Sequence, residues 1–388
     1  MNLRIYNVLL IFFITSYLTG QKVGVVLDSK TKNPIEFVDV YNNFDHTITN
    51  TDGSFFILAS WDSISFRKIG YEPLRLAVKN VQDSVFLNPK ALELEGITLT
   101  NIKSLWDKVR DSVSSNYLLK PYKERFFLRC ILRKNGEIIR LQDISGKLSR
   151  RTMLYKKGMD ASEKDFQFEI ENMRKIGVVK DENNVNFNFF SLSQLLFESI
   201  RLNATGEGFT ITEKQFKTEP YSRISIKSDS TQPRIETEGD YIINNANNAI
   251  ESIDLSSYFD IDNYRRNGKV EQRPLSRIQS AIFTKSKVQG KYFITLAKLL
   301  FEIEIKSTKN DFVDIYKSEY ILHTMDNNED FSFKANTNGQ KDIFKLKHEY
   351  NQSFWDSQNT LPLTKEMIEF IENFETKKKE FRIRQNFH

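Results

Sequence analysis

Residues 126–142 read FFLRCILRKNGEIIRLQ. Phe126, Leu128, Cys130 and Leu132 fall on alternate positions, the period of a strand with one buried face. Asn135-Gly136 follows, and Ile138 to Gln142 resumes the apolar pattern. Asn-Gly between two apolar runs signals a two-residue hairpin, because both turn positions need the left-handed backbone region. The stretch predicts an antiparallel hairpin, and the same pairing scheme extends away from it. Arg129, Arg133 and Arg140 are expected on the polar face of this hairpin, where they form either a solvated surface or an anion-binding one. Cys130, the one cysteine, excludes an internal disulfide and reads as a small buried hydrophobe.

Downstream, residues 156–188 are polar and mixed in charge, and read as a long loop or lid with at most one short helix. Ser191 to Asn203 reads as an amphipathic helix, with Ser191 and Gln194 at capping-box spacing. Strand patterns recur over 208–216, 221–228, 240–243, 249–256, 277–285, 291–306 and 312–324, with a turn at 244–248 and a break near Ala297-Lys298. Residues 343–350 are expected to close the sheet. Thr364 is an N-cap candidate for a last helix carrying Met367, Ile368, Ile371 and Phe374. Lys377, Lys378, Lys379, Arg382 and Arg384 then make a basic end, read as a solvated terminus. Upstream, Ile102, Leu105, Trp106, Val109 and Val113 recur at helical spacing and predict a helix over 102–117.

Before that helix the elements are short. Strands are predicted over 22–27, 35–42, 46–49, 54–58, 63–67, 74–78 and 84–87, with Leu92 to Thr100 as a last strand or an exit linker. Close, regular spacing of this kind predicts an antiparallel sandwich. Several motifs occur in order: Gly24-Val25-Val26-Leu27-Asp28, Thr31 with Asn33-Pro34-Ile35-Glu36-Phe37-Val38, Thr49-Asn50-Thr51-Asp52-Gly53-Ser54-Phe55, Asp62-Ser63-Ile64-Ser65-Phe66 and Ile69-Gly70-Tyr71. Through them residues 22–99 resemble the carboxypeptidase-like regulatory domain. The resemblance implies a transthyretin-like (prealbumin-like) β-sandwich, an accessory module of exported bacterial proteins without catalytic residues of its own. Asn50 and Asp52 do not form a calcium loop, since Ile48 and Ala59 stand where acids would be needed. Asn50 to Gly53 therefore reads as a turn.

The strands after residue 120, with the tail Phe354-Trp355 and Asn359-Thr360-Leu361-Pro362-Leu363-Thr364, resemble a lipoprotein-carrier-like half-barrel. The fold class is mainly β: a sandwich followed by a curved antiparallel sheet or half-barrel with a few covering helices. The expected organisation is a signal peptide at 1–20, the sandwich at 21–99, a linker helix at 100–120, a sheet-rich domain at 121–361, and a C-terminal helix and basic tail at 362–388.

The leader reading rests on Arg4, the apolar run Val8 to Leu18 and the small Gly20. Export with one cysteine suits the periplasm or outer membrane of a Gram-negative bacterium. A mean hydropathy of −0.47 excludes a multi-span helical membrane protein. The net charge of +5 is spread among acids, which argues against a nucleic-acid partner. No zinc-protease, nucleophile-elbow, dinucleotide or phosphate-loop motif occurs, so no catalytic residue, cofactor or metal is assigned. Acid pairs such as Glu302/Glu304 and Asp260/Asp262 have no supporting motif.

The expectation is a non-catalytic cell-envelope binding or adaptor protein. It would hold a lipid-like or protein ligand on the curved sheet, with Tyr292, Phe301, Ile303 and Trp355 as lining, and its partner would be an outer-membrane or periplasmic protein. Two alternatives stay open: a peptidase-like envelope hydrolase with an accessory sandwich, and a structural adaptor of an outer-membrane receptor.

Overall fold

The computed structural model describes residues 20–42, 45–59, 63–90, 104–155, 162–180, 185–199, 208–216, 219–229, 234–260, 263–286, 289–307, 312–325, 331–357, 360–374 and 382–385. Residues 1–19 of the expected leader and the 92–100 segment lie outside these residues, while Gly20, the leader's last expected position, begins the first strand. The fold is mainly β, with a large antiparallel sheet. The chain divides into two compact units, Met1–Lys90 with Asn359–Pro362 and Ala91–Gln358 with Leu363–His388.

The first unit has strands β1 (Gly20–Asp28), β2 (Asp39–Tyr41), β3 (His46–Ile48), β4 (Ser54–Ala59), β5 (Ser63–Arg67), β6 (Leu74–Ala77) and β7 (Ser84–Leu87). They form two sheets, β4-β1-β7 and β3-β2-β5-β6. Val26, Phe55, Ile57, Val85 and Leu87 of one sheet and Val40, Ile64 and Phe66 of the other share one apolar core. Phe55 meets Phe66 edge-on across it at 5.4 Å.

Two expectations are corrected here. The β1–β7 pair is parallel, so the unit is not wholly antiparallel. Residues 35–38 are not strand: Phe37 takes a φ of 54°, and the chain crosses there from one sheet to the other. The Asn50 turn forms as read, with its Oδ1 accepting from the Asp52 and Ser54 amides at 2.9 Å each.

The second unit opens with α1 (Leu105–Asn116), then β8 (Tyr122–Lys134), β9 (Glu137–Arg150), β10 (Phe166–Lys180) and α2 (Leu192–Ser199). There follow β11 (Phe209–Gln215), β12 (Tyr221–Ser228), β13 (Ile235–Asn244), β14 (Ile250–Phe259), β15 (Arg265–Asn267), β16 (Val270–Lys285), β17 (Tyr292–Ser307), β18 (Val313–Met325), α3 (Gln352–Ser357), α4 (Lys365–Phe374) and β19 (Arg382–Gln385). The strand order is β11-β12-β13-β14-β16-β17-β18-β8-β9-β10-β19, with β15 beside β16.

Side chains from nine of these strands, β8 to β10, β12 to β14 and β16 to β18, meet in one apolar core on one face, which requires the sheet to curve. α1 is built into this core through Leu105, Trp106 and Val109. Trp106 packs edge-on against Tyr241 at 5.1 Å, and the Tyr117 hydroxyl donates to Ile250 O (3.0 Å) and accepts from its amide (2.7 Å). The Asn135-Gly136 hairpin forms with φ values of 49° and 93°.

Residues 166–180, expected as loop, are a strand paired with β9. A bulge between Ile170 and Asn172 breaks the alternation of Phe166, Phe168 and Ile170, and masks the period. Residues 343–350, expected as a strand, hold a short 3-10 turn at Ile343–Lys345. Gln142 Nε2 takes the carbonyl of Ile343 at 3.0 Å, and Lys175 Nζ takes those of Phe344 and Leu346, so side chains satisfy this backbone in place of a ladder. The strand beside β10 is instead β19, at Arg382–Gln385 of the expected solvated terminus. The break near Ala297 is a bulge at Thr295 in an otherwise continuous strand. Thr364 caps α4 as read, its hydroxyl accepting from the Met367 amide at 3.3 Å.

Candidate functional site

Tyr292, Phe301 and Ile303 all face the concave core of the second unit. Tyr292 is buried near one end of β17, 6.0 Å from the Tyr117 ring. Phe301 and Ile303 are half-buried towards the other end, and Phe301 meets the edge of Phe190 at 4.7 Å. Trp355 is not with them. It packs 6.4 Å from Phe127, whose neighbours Phe126 and Leu128 point into the core, so Trp355 covers the opposite face. The four residues do not form one lining.

The concave face is filled by the chain itself. Phe190 stacks on Tyr320 at 5.2 Å, Phe189 meets Tyr320 and Phe344, and Leu192, Leu195 and Leu196 of α2 enter the same core. A strip of polar side chains on the sheet fastens these covers. Tyr320 accepts from the Phe190 amide at 3.1 Å, and Gln142 and Lys175 hold the 343–346 segment as described above.

Arg140 belongs to this strip, which corrects its expected place on the polar face of the hairpin. An extra residue, Ile139, bulges between the pairs Leu132–Arg140 and Arg133–Ile138, and turns Arg140 inward. Its guanidinium donates to the carbonyls of Val178 (2.5 Å), Val179 (2.8 Å) and Phe187 (2.6 Å) and lies 4.7 Å over the Phe344 ring. Gly177 makes room for it, because a Cβ there would stand 2.6 Å from Arg140 Cγ.

The other two arginines are also engaged. Arg133 donates to Glu366 of α4, with Nη2 to Oε2 at 2.6 Å. Arg129 is buried and pairs with Asp143. Arg174 adds bonds from Nε (2.8 Å) and Nη2 (2.6 Å) to Asp143 Oδ2 and lies 4.6 Å over the Trp355 ring. Burial opposes the Asp143 charge, but the two guanidinium groups outweigh it and hold the carboxyl below its ordinary value. These arginines bind the protein's own groups.

A small cleft at the strand ends is lined by Leu118, Tyr122, Glu124, Lys291, Tyr292 and Met325. Glu124 is the buried acid in it. Burial pushes its carboxyl up, while its ion-pair partner Arg150 pulls the other way. The net effect is a carboxyl held above its ordinary value. Of the acids singled out in pairs, Glu304 is tied to Tyr264 and to Arg273 Nε at 2.9 Å. Asp262 lies outside the described residues. Among the described residues, no group of three or more His, Cys, Asp and Glu side chains is placed to hold a metal.

The feature sequence reading missed is in the first unit. On β1, Val26 points into the core, so Val23, Val25 and Leu27 point out. Val23 pairs with Phe56 of β4, and Leu27 pairs with Phe86 of β7. The outer face of this sheet is therefore apolar across all three strands, with Val23 60% and Phe86 44% exposed. A sheet with one solvated face normally alternates polar with apolar. The signal was present in the unbroken runs Val25-Val26-Leu27, Phe55-Phe56-Ile57-Leu58 and Val85-Phe86-Leu87, which match strands covered on both sides. Val25, Leu27 and Phe56 are half-buried between these two exposed side chains.

No family model and no curated protein matches the chain.

Proposed function

We propose that the chain is a non-catalytic binding or adaptor protein of the cell envelope, docking a protein partner through the outer face of the β4-β1-β7 sheet. The observation that carries this reading is the apolar stripe of Val23, Val25, Leu27, Phe56 and Phe86. The leader pattern of residues 1–20 supports the envelope, and the likeness of residues 22–99 to an accessory transthyretin-like module supports docking over catalysis. In the same reading the second unit is a carrier-like half-barrel serving as a structural body. Between a lipid-like and a protein ligand, the occupation of the concave face by Phe189, Phe190 and Leu196 favours the protein.

A photo-crosslinking residue placed at Val23 or Phe86, with exposed Lys79 as control, tests this in envelope fractions. Discrete adducts are expected from 23 and 86 and not from 79. Equal labelling at all three positions, or none, would overturn the docking face. A lipid that co-purifies stoichiometrically in native mass spectrometry would overturn the choice of a protein ligand.

A further inference from the structure

The compact unit formed by residues up to Lys90 also contains Asn359–Pro362, a segment some 310 positions downstream of the groups that hold it. Two side chains grip its backbone. The buried Thr47 hydroxyl donates to the carbonyl of Thr360 at 2.9 Å. The Asn50 amide nitrogen donates to the carbonyl of Pro362 at 3.4 Å. Between them Leu361 is 1% exposed. Asn50 is aimed by its own turn, because its Oδ1 is fixed by the Asp52 and Ser54 amides, which leaves its NH2 group directed at the segment.

This arrangement has the parts of a peptide-recognition site. Contacts to carbonyls give affinity without reading side chains, and the buried leucine supplies selectivity. Pro362 fixes its own φ and restricts Leu361, so the segment loses little freedom on docking. A segment of the same chain docks in an intramolecular step, so even a weak site stays filled from within the chain.

We propose that the first unit carries a docking site for a Thr-Leu-Pro peptide segment, that Thr47 and Asn50 are its hydrogen-bonding residues, and that the chain's own Thr360–Pro362 occupies it. A partner protein with an exposed segment of the same chemistry competes for the site. This inference is independent of the apolar face: it uses different residues and survives if that face proves inert.

The test uses the full chain and a labelled, capped peptide of residues 359–363. The strap variant L361S/P362S vacates the site, and is expected to bind the peptide saturably with an apparent Kd at least about tenfold below that of the intact chain. Adding Asn50→Asp removes the donor while keeping the turn acceptor, and is expected to weaken peptide binding by about tenfold. Equal binding by the intact and strap chains, or no effect of Asn50→Asp, would overturn the proposal.

If the strap variant does not fold, hydrogen exchange on N50D in the otherwise intact chain decides. The amides of Leu361 and Leu363 are then expected to exchange about tenfold faster, with those of Asp52 and Ser54 unchanged. Unchanged exchange at Leu361 would overturn the proposal.

Discussion

Arg129 and Asp143 form a bidentate pair, Nε to Oδ1 at 2.9 Å and Nη2 to Oδ2 at 3.0 Å, with both side chains withdrawn from water. Arg174 completes the cluster on the same carboxylate. Breaking a buried pair from one side strands the other charge. Asp143→Ala leaves two guanidinium groups facing each other, and is expected to cost about 3–5 kcal/mol in urea unfolding. Trp355 fluorescence is expected to change as well, since Arg174 lies over its ring.

The same carboxylate sets a pH dependence. Its folded pKa lies below its ordinary value. The stability it contributes is therefore complete above about pH 4, the unfolded value, and is lost as pH falls through the lower folded value. Urea midpoints measured from pH 5 downward are expected to fall less steeply in Asp143→Asn than in the wild type. Parallel curves would show that Asp143 is not the group titrating.

Gly177 offers a test of the inner clamp. A Cβ at this position meets Arg140 Cγ at 2.6 Å and the carbonyl oxygen of Ile139 at 2.7 Å. The second contact is backbone and cannot swing away. Gly177→Ala is expected to destabilise by about 1–3 kcal/mol and to loosen the carbonyls at 178, 179 and 187 that Arg140 holds. Hydrogen exchange in the 178–190 stretch reads this directly.

Substitutions on the apolar face should separate binding from stability. Val23→Ser with Phe86→Ser removes exposed apolar surface and no core contact. Unfolding free energy is expected to stay within about 0.5 kcal/mol per site, while binding of a hydrophobic dye drops. A large loss of stability would show that these side chains are structural.

The hairpin at Asn135-Gly136 and the strand carrying Phe126 to Leu132 were legible in the sequence, because local chemistry alone dictates them. Residues 166–180 were not. One bulge shifts the period, and Lys175 and Arg174 look like solvent-facing charges until their partners at 346 and 143 are known. Arg140 was misplaced for the same reason: a single extra residue, Ile139, moves it to the other face. Phe301 and Ile303 share a face by their spacing, but Tyr292 is an odd number of positions away and joins them only through the bulge at Thr295, while nothing local says that Trp355 serves the other face. Residues 343–350 carry strand-like apolar spacing, yet their backbone is satisfied by Gln142 and Lys175, long-range partners that no window reveals.

The passage of the chain from Lys90 out to Thr360 and back also imposes a timetable. About 270 residues must be polymerised after Lys90 before the Thr-Leu-Pro strap exists. At roughly 5–20 residues per second, synthesis leaves the Thr47 hydroxyl and the Asn50 amide facing solvent for about 15–50 s. A partner that carries a Leu-Pro segment therefore meets the site without its internal competitor only in the newborn chain.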